Sequence, residues 1–278
     1  MDPSNFILLG ISLINLFLGF FLFLKSRKNL VNISYSIFVF FIFCWGLSLF
    51  IFRLTSNEQI ALLAMRLSYV SAVLISVPFI YFALIFPGGR LSSYKSSILL
   101  MLPAIFVSFL LLNRNFLVKS LVYHYYGKAV LLLPYHYLLF GFCFIMSFFG
   151  AWLILWWRYR HSYGIIKTQF LYVLIGILVS GVLGTIFNLI LPSPWFINFR
   201  WIWLGPSFTI IMVVFIAYAI IRYRLMDIKL VIKRSTVFTL LVVIITATYA
   251  FLVVFLDKPL VTIWDAILYS RLALLLRF

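Results

Sequence analysis

Acidic side chains are scarce: Asp2, Glu58, Asp227, Asp257 and Asp265 are the whole complement of a 278-residue chain. None lies deep in an apolar run, so no two carboxylates are placed for general acid and base work. The three histidines, His124, His136 and His161, fall in loops or at the ends of apolar runs, with no pair at a mid-run helical spacing. The two cysteines, Cys44 and Cys143, sit inside apolar runs and outside any metal-ligand spacing, and read as small buried residues. No glycine-rich phosphate loop follows a strand, and "FPGGR" at 86–90 reads as a helix end with a turn. These absences leave no catalytic residue, no metal site and no cofactor to assign, and the chain reads as no enzyme.

What fills the chain is apolar. Hydrophobic residues make up 66% and charged residues 10%, against about 25% charged in a water-soluble domain. The apolar residues come in runs near the length of a bilayer-spanning helix. The strict alternation of a membrane barrel is absent, so the fold class is an all-α, polytopic membrane helix bundle. Eight spans are predicted: Asn5–Leu24, Ile33–Phe52, Ile60–Phe86, Ser97–Leu112, Tyr135–Trp157, Thr168–Leu191, Leu204–Ile221 and Thr236–Leu256. The first is retained rather than cleaved, because its basic cluster follows the apolar run. Pro78 is placed to bend the third. The loop Asn113–Pro134 has two readings: a short external β-hairpin at 122–133 around Gly127, or an aromatic loop at the interface. The tail 257–278, interrupted by Asp265 and Arg271, lies in the interface or is a truncated helix.

The net charge of +17 does not imply a nucleic-acid partner, because the basic residues sit mostly between apolar runs. One set of loops carries thirteen Lys and Arg, including Lys25, Arg27, Lys28, Arg158, Arg160, Lys167 and the cluster Arg222, Arg224, Lys229, Lys233 and Arg234. The opposite set, with Arg53, Arg114, Lys119, Lys128, Arg200 and Lys258, carries six. The richer set faces the cytoplasm, so the N-terminus is outside a multi-pass protein of the cell membrane. On that topology the glycosylation pattern at Asn32 faces the cytoplasm and is a chance match.

A few polar residues stand against the apolar background. Arg66, near the start of the third run, is a functional candidate as an intramembrane ion or a side chain that snorkels to the outer interface. Asn188 either lines a cavity or bonds a neighbouring helix. Past Arg222, Leu225, Ile228 and Ile232 recur on one helical face while Arg222, Lys229 and Lys233 share another. That pattern reads as an amphipathic helix on the inner membrane surface, or as a plain positive-inside loop. Asp227 pairs with Arg224 or faces water.

Several stretches together resemble a known family. "FIAYAIIRYRLMDIKLVIKRS" at 215–235 is similar to the end of the seven-transmembrane (7TM) sensor region at the N-terminus of bacterial histidine kinases. "FCWGLSLFI", "MRLSYVSAVLISVPFIYFALIFP", "GIIKTQFLYVLIGILVSGVLGTIFNLILP" and "LGPSFTIIMVVFIAYAI" resemble its second, third, sixth and seventh spans in order. The resemblance implies an input module over 5–235, followed by an additional span at 236–256 and the short tail. It also implies a small ligand, of unknown chemistry, on the external half. Trp45, Arg66, Tyr69, Tyr81, Asn188 and Arg200 are the candidate ligand-binding residues. Arg222, Arg224, Asp227, Lys229, Lys233 and Arg234 are the candidates for coupling at the membrane surface. The chain departs from the family where a transmitter is due: it has no Asp-x-Gly-x-Gly box, and His161 is followed by Ser162 rather than an acid. A sensory module acting in trans on a separate histidine kinase or other cytoplasmic signalling protein, or a truncated receptor, is therefore expected. A small transporter or channel, or an inactive membrane fragment, is the alternative.

Overall fold

The structure, a computed structural model, describes residues 3–88, 94–113, 116–124 and 127–224, with the side chains of 94–101 and 222–224 left undescribed. Seven helices follow one another: α1 (Pro3–Lys25), α2 (Leu30–Leu54), α3 (Glu58–Ile85), α4 (Tyr94–Leu111), α5 (Pro134–Arg160), α6 (Gly164–Thr185) and α7 (Leu204–Arg224). Between α4 and α5 stand two strands, β1 (Val118–His124) and β2 (Gly127–Leu132). All but α4 are long and apolar enough to cross a bilayer; of α4, Leu102–Leu111 is a shorter apolar stretch. The all-α membrane architecture read from the sequence is thus the one found over the described residues. The predicted span 236–256 and the tail 257–278 lie outside them.

Local chemistry sets the helix ends. Asn29 Oδ1 accepts from Val31 N at 2.9 Å, and Asn57 Oδ1 from Ile60 N at 3.2 Å, each satisfying an amide that the first turn leaves without a partner. Pro134 opens α5 where no backbone N–H is needed. At the other end of α5, Arg158 Nη1 donates to Phe86 O at 2.6 Å and closes the C-terminus of α3. Pro78 stays inside α3, and the helix continues unbroken on both sides of it.

In lipid, apolar surface gains nothing by turning inward, so helices associate through close packing and polar side chains. Both are present. A Cβ on Gly46 of α2 would collide with the Ser12 hydroxyl of α1, and one on Gly19 would lie 3.1 Å from Val39. Asn32 Nδ2 donates to Leu22 O at 3.0 Å and Ser36 Oγ to Gly19 O at 2.8 Å across the same pair of helices. A Cβ on Gly176 of α6 would lie 2.7 Å from Phe215 Cβ of α7. The helices α1, α2, α3, α5, α6 and α7 close into a ring, α7 returning to α1, while α4 packs outside against α3 and α5. The outer faces remain apolar, with Phe17, Phe109 and Phe142 exposed, as lipid-facing surface should be.

The hairpin is present and longer than predicted. Val118 pairs with Leu132 and His124 with Gly127, and a bulge falls between Val118 and Ser120. Pairing begins before residue 122 because Leu117 and Val118 are buried and Leu133 N donates to Leu117 O at 3.0 Å. Gly127, at φ 125°, supplies a turn conformation that a side chain would disfavour. Lys128 Nζ donates to Thr55 O at the C-terminus of α2 and sits 5.8 Å over the Phe52 ring. Its pKa is lowered from the ordinary lysine value, first by burial and then by the nearby Arg53 charge.

Helix direction separates two ends of the bundle. The hairpin end carries Arg53, Lys119, Lys128 and Arg200; there Arg53 bonds Asn5 Oδ1 and Ser4 Oγ, both at 2.6 Å. The opposite end carries Lys25, Arg27, Lys28, Arg158, Arg160 and Lys167. Near that end an aromatic ladder rises along α5, with Trp152 stacked on Trp156 at 5.3 Å and Arg160 5.3 Å over Trp156. Trp and Tyr favour the level of lipid headgroups.

Candidate functional site

Where α2, α3, α5, α6 and α7 meet, the bundle encloses a cavity of about 490 Å³, a size that suits a small organic ligand. It lies in the half of the bundle nearer the hairpin, between Trp45 of α2, Tyr69 of α3, Phe144 of α5, Asn188 beyond α6 and Thr209 of α7. No charged side chain lines it among the described residues.

One wall is aromatic. Phe140, Phe144 and Phe148 recur every four residues on α5, with ring centroids 6.0 and 4.7 Å apart. Phe148 stacks on Phe79 at 5.1 Å, and Phe79 on Phe38 at 5.3 Å, so the ladder reaches α2 through α3. Tyr69 meets Phe140 edge-on at 5.0 Å and Tyr137 at 6.4 Å. Tyr137 in turn donates to Leu189 O at 2.6 Å and joins α5 to the last turns of the sixth span.

The facing wall departs from regular helix. Residues Ile186–Ile190 form a π-helical turn that continues α6. Such turns widen the helix, redirect a side chain, and recur at functional sites. Here Asn188 is turned toward the start of α7. With its amide placed so that both ends find partners, Nδ2 donates to Ile202 O at 2.9 Å and Oδ1 accepts from Gly205 N at 3.0 Å. A Cβ on Gly205 would overlap that amide. Glycine is therefore required there for close approach.

The third wall, α7, is tied to three neighbours by buried polar groups. Asn15 Nδ2 of α1 donates to Thr209 Oγ1 at 3.0 Å, and Tyr35 OH of α2 donates to Val213 O at 2.8 Å. Ser180 Oγ of α6 donates to Phe208 O at 2.9 Å and accepts from Met212 N at 3.0 Å. Thr209, Met212 and Ser180 also line the cavity. The helix tied to α1, α2 and α6 by buried polar groups is thus also a wall of the cavity.

Of the residues singled out from sequence, the structure brings Trp45, Tyr69 and Asn188 together around this space. It does not bring the other three. Arg66 is half-buried on α3 and outside the lining; Tyr81 is half-buried near the far end of the same helix; Arg200 is exposed in the loop before α7, 5.0 Å over the Trp201 ring. Arg222 and Arg224 end α7, but their side chains, and Asp227, Lys229, Lys233 and Arg234 altogether, lie outside the described residues. Sequence reasoning missed the α5 aromatics, Ser180 and Thr209. The four-residue spacing of Phe140, Phe144 and Phe148 was visible, but in a helix that is apolar on every side it does not tell a cavity wall from a lipid face.

Comparison with known proteins gives one family. The model of the N-terminal 7TM region of histidine kinase matches residues 7–229, which takes in every wall of the cavity and the whole of α7. No curated protein matches the chain.

Proposed function

Because the chain belongs to the family of N-terminal 7TM regions of histidine kinases, we propose that it is a membrane-embedded sensory input module whose cavity receives the stimulus and whose α7 carries the response. The observation that supports this reading is the shared wall. Thr209 and Met212 line the cavity, and α7 runs from there to Arg224 at the opposite end of the bundle.

The energetics suit a switch. Interhelical hydrogen bonds inside a membrane average about 0.6 kcal/mol each. The five that tie α7, one each from Asn15, Tyr35 and Asn188 Oδ1 and two at Ser180, therefore sum to about 3 kcal/mol. That is strong enough to hold one arrangement and weak enough for a ligand to favour another, since a ligand shifts an equilibrium only by its differential affinity for the two states. In this proposal residues 5–235 are the input region, 236–256 is a further span and 257–278 lies at the interface. Arg222, Arg224, Asp227, Lys229, Lys233 and Arg234 carry the movement to the inner membrane surface. The N-terminus and hairpin face outward, and α4 is counted as a span. In this proposal the output is passed to a histidine kinase or another cytoplasmic signalling protein.

Filling the cavity tests the coupling without knowledge of the ligand. Gly184 lines the cavity and has open space around its Cβ position. In the full chain in lipid nanodiscs, spin labels at Lys28 and Ile221 report the distance from the α1–α2 connector to the end of α7. Gly184→Phe should displace that distribution, and Gly10→Phe, also in open space but on α1 and away from the cavity, should leave it in place. Coincident distributions for wild type and Gly184→Phe would refute the reading.

A further inference from the structure

The cavity has a side opening. Ile145 and Phe149 of α5, and Leu178, Val182, Ile186 and Ile190 of α6 and its π turn, line the cavity and are at the same time exposed on the outer surface. Six such residues clustered on two neighbouring helices point to a mouth between α5 and α6. Glycine keeps it wide: Gly181 and Gly184 line the cavity, and neither has any atom within 4 Å of its Cβ position. The gap runs from the middle of α5 and α6, at Ile145 and Leu178, toward the hairpin end at Ile190, between two helices long and apolar enough to cross a bilayer, so it opens on the hydrocarbon side of the bundle. Among the described residues nothing covers it.

The polar atoms of the walls divide into two groups. Ser68 Oγ donates to Met65 O at 2.7 Å, while Ser180, Thr209 and Asn188 are engaged in the ties to α7 and its neighbours. Tyr69 differs. It is only 5% exposed, it lines the cavity, and its hydroxyl has no hydrogen-bond partner among the described residues. The indole N–H of Trp152, farther along the same cavity, is likewise without a partner. A buried donor left unsatisfied is costly, and both groups are donors toward a ligand acceptor.

We propose that the cavity binds an uncharged, lipid-soluble molecule bearing a hydrogen-bond acceptor such as a carbonyl, which enters from the bilayer between α5 and α6 and accepts a hydrogen bond from Tyr69. This rests on the reading of the cavity as the sensory site and names the chemistry of what is sensed. A charged ligand finds no counter-charge in the walls. A water-soluble ligand would leave its hydration for a wall built of Phe140, Phe144, Phe148, Ile75 and Leu189. The acceptor distinguishes the ligand from the acyl chains that surround the protein.

The probe is a medium-chain methyl ketone with an isotopically labelled carbonyl, compared with the n-alkane of equal length, each delivered from the lipid of nanodiscs that hold the full chain. The ketone should bind about fivefold more tightly than the alkane, and its carbonyl stretch should show a band at lower frequency from the bound, hydrogen-bonded form. Tyr69→Phe, which keeps the ring, should remove that band and equalise the two affinities. Gly181→Trp should slow the uptake of both from lipid at least tenfold. Equal binding of ketone and alkane to the wild type with no shifted band would overturn the proposal. So would uptake that Gly181→Trp leaves untouched, or cross-linking that finds the mouth filled by residues 236–256 or by a second copy. Ketone binding without movement of the Lys28–Ile221 labels would reject the sensory coupling and keep the ligand class. Movement in Gly184→Phe with no ketone binding to the wild type would do the reverse.

Discussion

At the scale of single residues, Asn188 and Gly205 act as one unit. The Asn188 amide reaches the Gly205 N–H only because Gly205 has no Cβ. Gly205→Ala should expel the amide and leave a buried N–H and a carbonyl without partners, at a cost of about 1–3 kcal/mol. Asn188→Ala should cost a similar amount by the same loss. The double variant should be scarcely worse than either single one, because the interaction is lost once. Unfolding in mixed detergent micelles measures all three, and simple additivity would show that the two residues act apart. Asn188 was visible in the sequence as a polar group in an apolar run, with two roles open. The partner was not visible, because the contact depends on a π turn that bends the chain toward α7 and on a glycine seventeen positions later.

At the scale of the element, α6 has two unlike faces. Gly176 and Ser180 lie against α7, whereas Gly181 and Gly184 border open space. Replacing a glycine by leucine on these two faces should give opposite results. Gly176→Leu should force α6 from Phe215 and Met212 and cost about 1–3 kcal/mol. Gly181→Leu should be stable within about 0.5 kcal/mol of wild type, the usual range for a change that meets no neighbour. Thermal denaturation followed by near-ultraviolet circular dichroism separates the two, and equal losses would mean that the mouth beside Gly181 is closed. The run 168–191 was legible as a span from its length alone. Its division into a packed face and an open face was not, since three glycines in an apolar run read alike until the neighbours are in place.

At the scale of the whole molecule, the two ends of the bundle differ in charge and in what ties them. The hairpin end is held by Arg53 to Ser4 and Asn5 and by Lys128 to Thr55, and the other by Arg158 on the C-terminus of α3. The proposed orientation places the hairpin end outside. In a background lacking Cys44 and Cys143, single cysteines at Ser56 and Ser120 should react with an impermeant thiol reagent on intact cells. A cysteine at Ser26 should react only after permeabilisation. Labelling of Ser26 alone on intact cells would invert the protein.

The sequence by itself determined that the chain is a polytopic helical membrane protein, where its first seven helices lie within a few residues, and to which family it belongs; it left the loop after the fourth helix open between a hairpin and an aromatic loop, and the structure decided for the hairpin. The features it determined follow from the length of apolar runs and from a family pattern that is mostly hydrophobic spacing. Each is a local quantity, set within one element and its connector. Only the tertiary structure decided that Trp45, Tyr69 and Asn188 share one cavity while Arg66, Tyr81 and Arg200 stay outside it, and that α7 is tied to α1, α2 and α6. The reason is the solvent. In water an apolar stripe shows which side of a helix turns inward. In lipid both sides are apolar, and the inward side is chosen by small-residue contacts and a handful of polar bonds between segments far apart in the chain. Asn15 and Thr209 bond across 194 positions, a pairing that no local pattern of apolar residues encodes.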